Sequence, residues 1–166
     1  MSFTTRDFAV GPGESLWGQE SPLPGTDMQL LAGAQHTENQ YSLVRYTLTT
    51  EVFRHIHENE DESIYLLDGE VTVSVGDKSY DLTPGSFIFM PRNVPHSIKP
   101  HTPSWKGLSI SAPATHFQAC MEELLAYTRA GNELTMEALI EIQGRHGVRN
   151  VSDEDQWYDM KGGGSE

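Results

Sequence analysis

From Tyr41 onward the chain alternates polar and apolar positions in short runs. Ser42, Val44, Tyr46 and Leu48 share one face against Tyr41, Leu43, Arg45 and Thr47 on the other, and Val71, Val73 and Val75 alternate with Thr72 and Ser74. This period of two predicts strands. Further strands are expected over Phe53–His57, Ser63–Asp68, Lys78–Leu82, Ser86–Met90 and Trp105–Ser111, with turns at Gly76-Asp77 and Thr83-Pro84-Gly85. Many short strands without interleaved helices point to an antiparallel barrel or jelly roll, not a parallel sheet. The period then changes. Phe117, Cys120, Met121, Leu124, Leu125 and Thr128 recur at three and four, predicting an amphipathic helix that Gly131 ends. A second helix is expected over Met136–Gln143, capped by Thr135 and closed by Gly144.

The organisation read from this pattern is one domain without internal repeats. Residues 1–33, punctuated by Gly11, Pro12, Gly13, Pro22, Pro24 and Gly25, form an irregular arm; 34–112 form the barrel; 113–150 carry the helices; 151–166 form a flexible acidic tail. Trp17 is expected to plug one end of the core, or alternatively to line a substrate mouth.

The strand Phe53–His57 changes the picture from fold to chemistry. Alternation sends His55 and His57 to one surface, and the acidic turn after them lets the chain reverse so that Glu62 begins the next strand facing the same spot. Two imidazoles and a carboxylate in that arrangement are a common way to hold a first-row transition metal with positions left open. His96 is a fourth candidate, and Pro91 and Pro95 restrict its loop in advance. Glu58, Glu60 and Asp61 read as solvated turn residues. His36, His101, His116 and His146 have no comparable spacing, Cys120 sits on an apolar helix stripe as an inert small hydrophobe, and Arg92 reads as a solvent-facing loop charge. Tyr46, Phe53, Phe89, Met90 and Trp105 suit the walls of a pocket for a flat aromatic ligand and suit a barrel core equally well.

Composition narrows the partners. The chain has 166 residues with 11 Lys plus Arg against 24 Asp plus Glu, a formal net charge of −13. Such a surface repels phosphate backbones and anionic lipid, which argues against nucleic-acid and membrane partners. The first residues have no basic start or apolar run, and a single cysteine suits a reducing compartment, so a cytoplasmic location is expected.

Taken together, His55-x-His57-x4-Glu62-x6-Gly69 resembles the first signature motif of the cupin superfamily at every position from the first His to the Gly. Gly85-x5-Pro91-x-Asn93-x2-His96 resembles the second, with Asn93 where Gly is usual and Pro100 where that motif ends in Asn. Asn tolerates the left-handed backbone that Gly supplies. The resemblance implies an all-β cupin jelly roll, or double-stranded β-helix barrel, followed by two C-terminal helices. It also implies one divalent ion held by His55, His57, Glu62 and His96: iron, nickel, manganese or cobalt, with copper and zinc left open.

Three neutral imidazoles and one carboxylate leave a divalent ion with a formal charge of +1, which favours an enolate, phenolate or carboxylate donor. The short intermotif spacing and trailing helices are similar to those of small quercetin dioxygenases. That likeness implies oxygen-dependent cleavage of an enolic or hydroxylated aromatic molecule, with Glu62 as general base. Two other readings stay open: a non-redox isomerase, cyclase or decarboxylase using the ion as a Lewis acid, and a binding module without catalysis. A homodimer is expected, since small jelly rolls leave sheet edges that pairing covers.

Overall fold

Strands dominate because the period-two runs are separated by residues that turn the chain. A computed structural model describes residues 7–151. Among them the elements run β1 (Asp27–Ala32), α1 (Ala34–Thr37), β2 (Ser42–Leu48), β3 (Val52–His57), β4 (Asp61–Asp68), β5 (Val71–Val75), β6 (Lys78–Leu82) and β7 (Phe87–Met90). They continue with β8 (His96–Pro100), β9 (Trp105–Ala112), α2 (Thr115–Arg129), α3 (Met136–Arg145) and β10 (Val148–Asn150). Two antiparallel five-stranded sheets result, in the orders β1-β2-β9-β4-β7 and β10-β3-β8-β5-β6. This is the all-β jelly roll with C-terminal helices that the alternation predicts.

Each sheet turns one face inward. Val44, Tyr46, Ile64, Leu66, Met90 and Trp105 of the first meet Val71, Val73 and Ile98 of the second in a single buried core, with roughly 1.5–3 kcal/mol gained for each large apolar side chain fully withdrawn from water. Helix α2 adds Cys120, Met121, Leu124 and Leu125, and α3 adds Ile142. Thr135 caps α3 as expected, its hydroxyl accepting from the Ala138 amide at 3.2 Å. The turn after β4 depends on Gly69, which has φ +83° and whose absent Cβ would lie 2.7 Å from the Ser104 carbonyl oxygen.

The expected boundaries need three corrections. The stretch taken as an irregular arm contains β1, because Met28 and Leu30 alternate inward and the strand pairs with β2. Helices are not confined to the end, since the single turn α1 links β1 to β2. The chain also returns to the sheet after α3: β10 pairs with β3, Val148 opposite His57 and Asn150 opposite His55. Three residues are too few to show a period. Trp17 is buried in the core cluster, and the acidic tail beyond Val151 lies outside the described residues. No described helix is long and apolar enough to cross a membrane.

Candidate metal centre

The second sheet brings the imidazoles together. On β3 alternation puts His55 and His57 on the inner face, and the register sets His55 opposite His96 at the start of β8. The His55 and His96 rings stand 4.4 Å apart between centroids and the His55 and His57 rings 5.0 Å. Glu62 enters from the first sheet, on the inner face of β4. One ligand atom from each of His55, His57, Glu62 and His96 lies within 4.8 Å of all the others, so the cluster could hold a metal ion.

Two contacts clamp the hairpins that carry these residues. The Arg92 guanidinium reaches Asp61 through Nε to Oδ1 at 3.1 Å and Nη2 to Oδ2 at 3.0 Å, and its backbone N–H donates to the same Oδ1 at 2.9 Å. Arg92 and Asp61 are therefore a tie between the two motif loops, not free solvent charges, and the bonds from Arg92 hold the Asp61 carboxyl below its usual range. The Asn93 amide donates to the His57 carbonyl at 2.8 Å. Asn93 has φ 62°, the left-handed backbone expected where Gly would otherwise stand.

The hydrogen bonds of the rings test whether these residues fit a metal ion. His55 Nδ1 lies 2.8 Å from the Phe53 carbonyl and His96 Nδ1 lies 3.0 Å from the Val94 carbonyl; His57 Nδ1 lies 3.2 Å from Glu60 Oε1. Each acceptor fixes the proton on Nδ1, which leaves the Nε2 lone pair facing the common centre. His55 Nε2 and His57 Nε2 are 3.1 Å apart, and Glu62 Oε2 is 3.5 Å from His57 Nε2 and 3.4 Å from His96 Nε2. His96 Nε2 is buried without a hydrogen-bond partner. Converging lone pairs and a carboxylate need a shared cation. The residues fit one.

Electrostatics agree with that demand. Burial, reinforced by the neighbouring His96 and His57, pushes His55 down to about 3, keeping it neutral at physiological pH. Burial also disfavours a charged His57, but the bond to Glu60 and the field of Glu62 outweigh it and raise its pKa. Burial opposes ionisation of Glu62, yet the adjoining His96, His57 and His55 hold it down at about 2. Ser109 on β9 donates to Glu62 Oε1 at 2.8 Å, leaving Oε2 toward the rings.

Glu60 was expected in a solvated turn. Instead it is fully buried, with one oxygen at His57 and the other accepting the Phe117 amide at 3.0 Å in the first turn of α2. A carboxylate behind a ligating imidazole orients the ring and raises its basicity. The parity of the chain carried this signal: Glu60 and Glu62 differ by two residues and so share a face. Ser109 is a second residue that sequence reasoning missed, although the same alternation along β9 turns it inward.

Above the cluster is a cavity of about 280 Å³ lined by Tyr46, Phe53, Trp105, Ile98, Phe117 and Met121, among others. Among the described residues no Lys or Arg belongs to its lining. Of the expected wall residues, Tyr46, Phe53 and Trp105 line it. Phe89 lies on the outer face, Met90 is wholly buried in the core and Trp17 packs beside α2; none of the three lines the cavity. The reason is parity for Phe89, which alternates outward on β7. Walls not foreseen come from Leu23 and from Met28 on β1, and from Met136 and Leu139 on α3 and Val148 on β10.

Comparison with known proteins agrees with this architecture. Residues 44–104 match the family model of the cupin domain (Cupin_2). Among solved structures, KdgF from Halomonas sp. is 18% identical with a TM-score of 0.53, covering 60% of this chain and 88% of that one. A predicted oxalate decarboxylase from Thermotoga maritima is 24% identical, with a TM-score of 0.49 over 57% of this chain and 89% of that one. Pac13, a nucleoside dehydratase, is 15% identical with a TM-score of 0.48 over 57% and 74%; it is also known with uridine, as a variant from Streptomyces. No curated protein matches the chain by sequence. The family match is confined to residues 44–104, and at such identity the likeness to KdgF shows the fold alone.

Proposed function

We propose that the chain is a metal-dependent enzyme of small-molecule metabolism, a dioxygenase similar to quercetin dioxygenases that cleaves a flat enolic or hydroxylated aromatic molecule. The observation that carries this reading is the placement of the four-donor cluster at the floor of a largely apolar cavity that, among the described residues, no Lys or Arg lines. A phosphorylated or polyanionic substrate would be desolvated there with no Lys or Arg of the described residues to meet it. A neutral aromatic that ionises at one oxygen suits such walls.

His55, His57, Glu62 and His96 would hold the ion, which when bound supplies a Lewis-acidic centre with open positions for an oxygen anion and dioxygen. The chain's own residues do the rest. Glu62, loosening from the cluster, would take the substrate's hydroxyl proton at Oε2, the oxygen not engaged by Ser109. Glu60 keeps His57 oriented, and Phe53, Trp105 and Phe117 exclude water from the developing anion.

The test is oxygen uptake by freshly purified, metal-analysed protein over flavonols, enediols and diketones. Oxygen consumption matched to loss of a flavonol, abolished in Glu62→Gln, is the expected result. Turnover that proceeds equally under argon would replace this reading with a non-redox isomerase, cyclase or decarboxylase. Ligand binding unchanged by Glu62→Gln, without turnover under any metal, would replace it with a binding module.

A further inference from the structure

Helix α3 and strand β10 each bring an amide side chain to the cavity wall. On α3, Met136, Leu139 and Gln143 recur at three and four, and all three line the cavity. On β10, Val148 and Asn150 stand opposite His57 and His55, share their inward face and line it too. Helical and strand periods therefore both end in a polar residue within a largely apolar wall. The two amides meet, Asn150 Nδ2 donating to Gln143 Oε1 at 3.0 Å.

That single bond leaves Gln143 Nε2 as a donor and Asn150 Oδ1 as an acceptor, neither with a partner among the described residues. The pair is not sealed away. Asn150 is exposed, as are Thr50, Glu51 and Phe53 of the same lining, and the half-buried Gln143 keeps Nε2 open to solvent. This is a side on which the cavity meets water, so a ligand entering here displaces water from both amides. Thr26 and Ser109 differ, since their hydroxyls already donate to the Leu23 carbonyl and to Glu62.

We propose that Gln143 and Asn150 are the specificity pair of the site, binding an uncharged hydroxyl of the ligand other than the oxygen that faces the metal end of the cavity. A hydroxyl both donates and accepts, so it pairs with either amide. A carboxylate or phosphate only accepts, and it would face the Asn150 carbonyl and the Glu51 charge with repulsion. The ligand class is thereby narrowed to flat molecules with a second hydroxyl. This inference rests on the reading of the four-donor cluster as a metal site that takes a hydroxylated aromatic. A molecule without the second hydroxyl strips water from the amides and offers no bond in return, and discrimination follows from that difference.

The experiment measures binding to metal-loaded protein under argon with two probes: 3-hydroxyflavone, and kaempferol, which adds hydroxyls at both ends of the same skeleton. The parent is expected to bind kaempferol about tenfold more tightly, the size of one hydrogen bond. Gln143→Met combined with Asn150→Val should abolish that preference, with 3-hydroxyflavone affinity equal or higher and metal content unchanged. Gln143→Met alone, which keeps side-chain length and helix propensity, should narrow it. A parent without the preference, or variants that keep it in full, would overturn the proposal and leave the metal and flavonol readings standing. Equal weakening of both probes, or a fall in metal content, would assign the pair to packing and likewise overturn it. A loaded parent that binds neither probe would remove the proposal together with the flavonol reading, and one that fails to load metal would remove both at their root.

Discussion

The cavity's floor and the rest of its wall are built by different means. Three of the four donors of the floor sit on β3 and β8, paired neighbours whose register is fixed by backbone hydrogen bonds, and Glu62 reaches them from β4 of the facing sheet. The rest of its wall is assembled from segments distant in the chain, Leu23 and Met28 on one side of the sequence and Met136, Leu139 and Val148 on the other. Within the floor a second contrast appears. His55 and His96 are oriented by carbonyls two residues earlier in their own strands or loops, whereas His57 is oriented by a side chain, Glu60, that also grips α2. Backbone acceptors survive any substitution, so only one of the three rings is oriented through a replaceable side chain.

Removing a donor should give the largest effect. His55→Ala or His96→Ala is expected to lower metal affinity by more than about 100-fold, beyond what loss of an orienting partner costs; competition against a chromogenic chelator measures it, and unchanged metal content in either variant would break the account of the floor. Next comes Glu60→Gln, expected to cost roughly 10-fold in metal affinity, because the amide can satisfy His57 or the Phe117 amide but not both. His55 and His96 offer no equivalent variant, which is how this measurement sharpens the contrast between backbone and side-chain orientation.

Acid should act on the floor in metal-stripped protein. His55 falls from an ordinary value of 6.5 to about 3, so its contribution to stability is present above pH 6.5 and is lost as pH falls toward 3. Glu62 adds a loss in a lower window, from 4.5 down to about 2. His57 works the other way: its raised pKa contributes most below 6.5 and less as pH rises through the folded value. The thermal midpoint of stripped protein should therefore decline between pH 6.5 and about 4, and His55→Gln should flatten that decline. A parent curve that is already flat would sink the account of a neutral, desolvated His55.

The smallest effect is expected away from the cavity. Tyr80, Phe87 and Phe89 are exposed on β6 and β7, the edge strands of the two sheets. A second copy of the chain covering this patch would give the homodimer that open edges favour. Light scattering should then return twice the chain mass, falling to the single mass in Phe87→Glu with metal affinity intact. A monomeric parent would refute it.

What could be read in the sequence follows the same division. The donors were legible because strand alternation is a local rule, and two motifs with fixed spacing put four donor residues on matching faces. Asn93 was legible too, since its left-handed backbone is a requirement of one turn. Glu60 was lost to the habit of treating an acidic run as solvent-facing, although its parity with Glu62 pointed inward. The walls at Leu23, Met136 and Leu139 were not legible, because nothing local says which distant helix face or arm will close over a barrel. Phe89 and Met90 show the converse. Their aromatic and sulfur chemistry suited a pocket, and register sent one outward and the other into the core.

The pairing of β10 with β3 has a consequence for the order in which the protein is completed. His55 and His57 stand on a strand whose outer edge is closed only when residues 148–150 arrive, and Glu60 gains its second partner only when Phe117 is in place. A nascent or truncated chain ending before α2 would carry all four donors while leaving Glu60 half satisfied and the ligand strand open to foreign pairing. Residues 148–150 thus close the edge of the strand that carries His55 and His57, and α2 completes the partners of Glu60, so segments far along the chain brace the cluster from outside it.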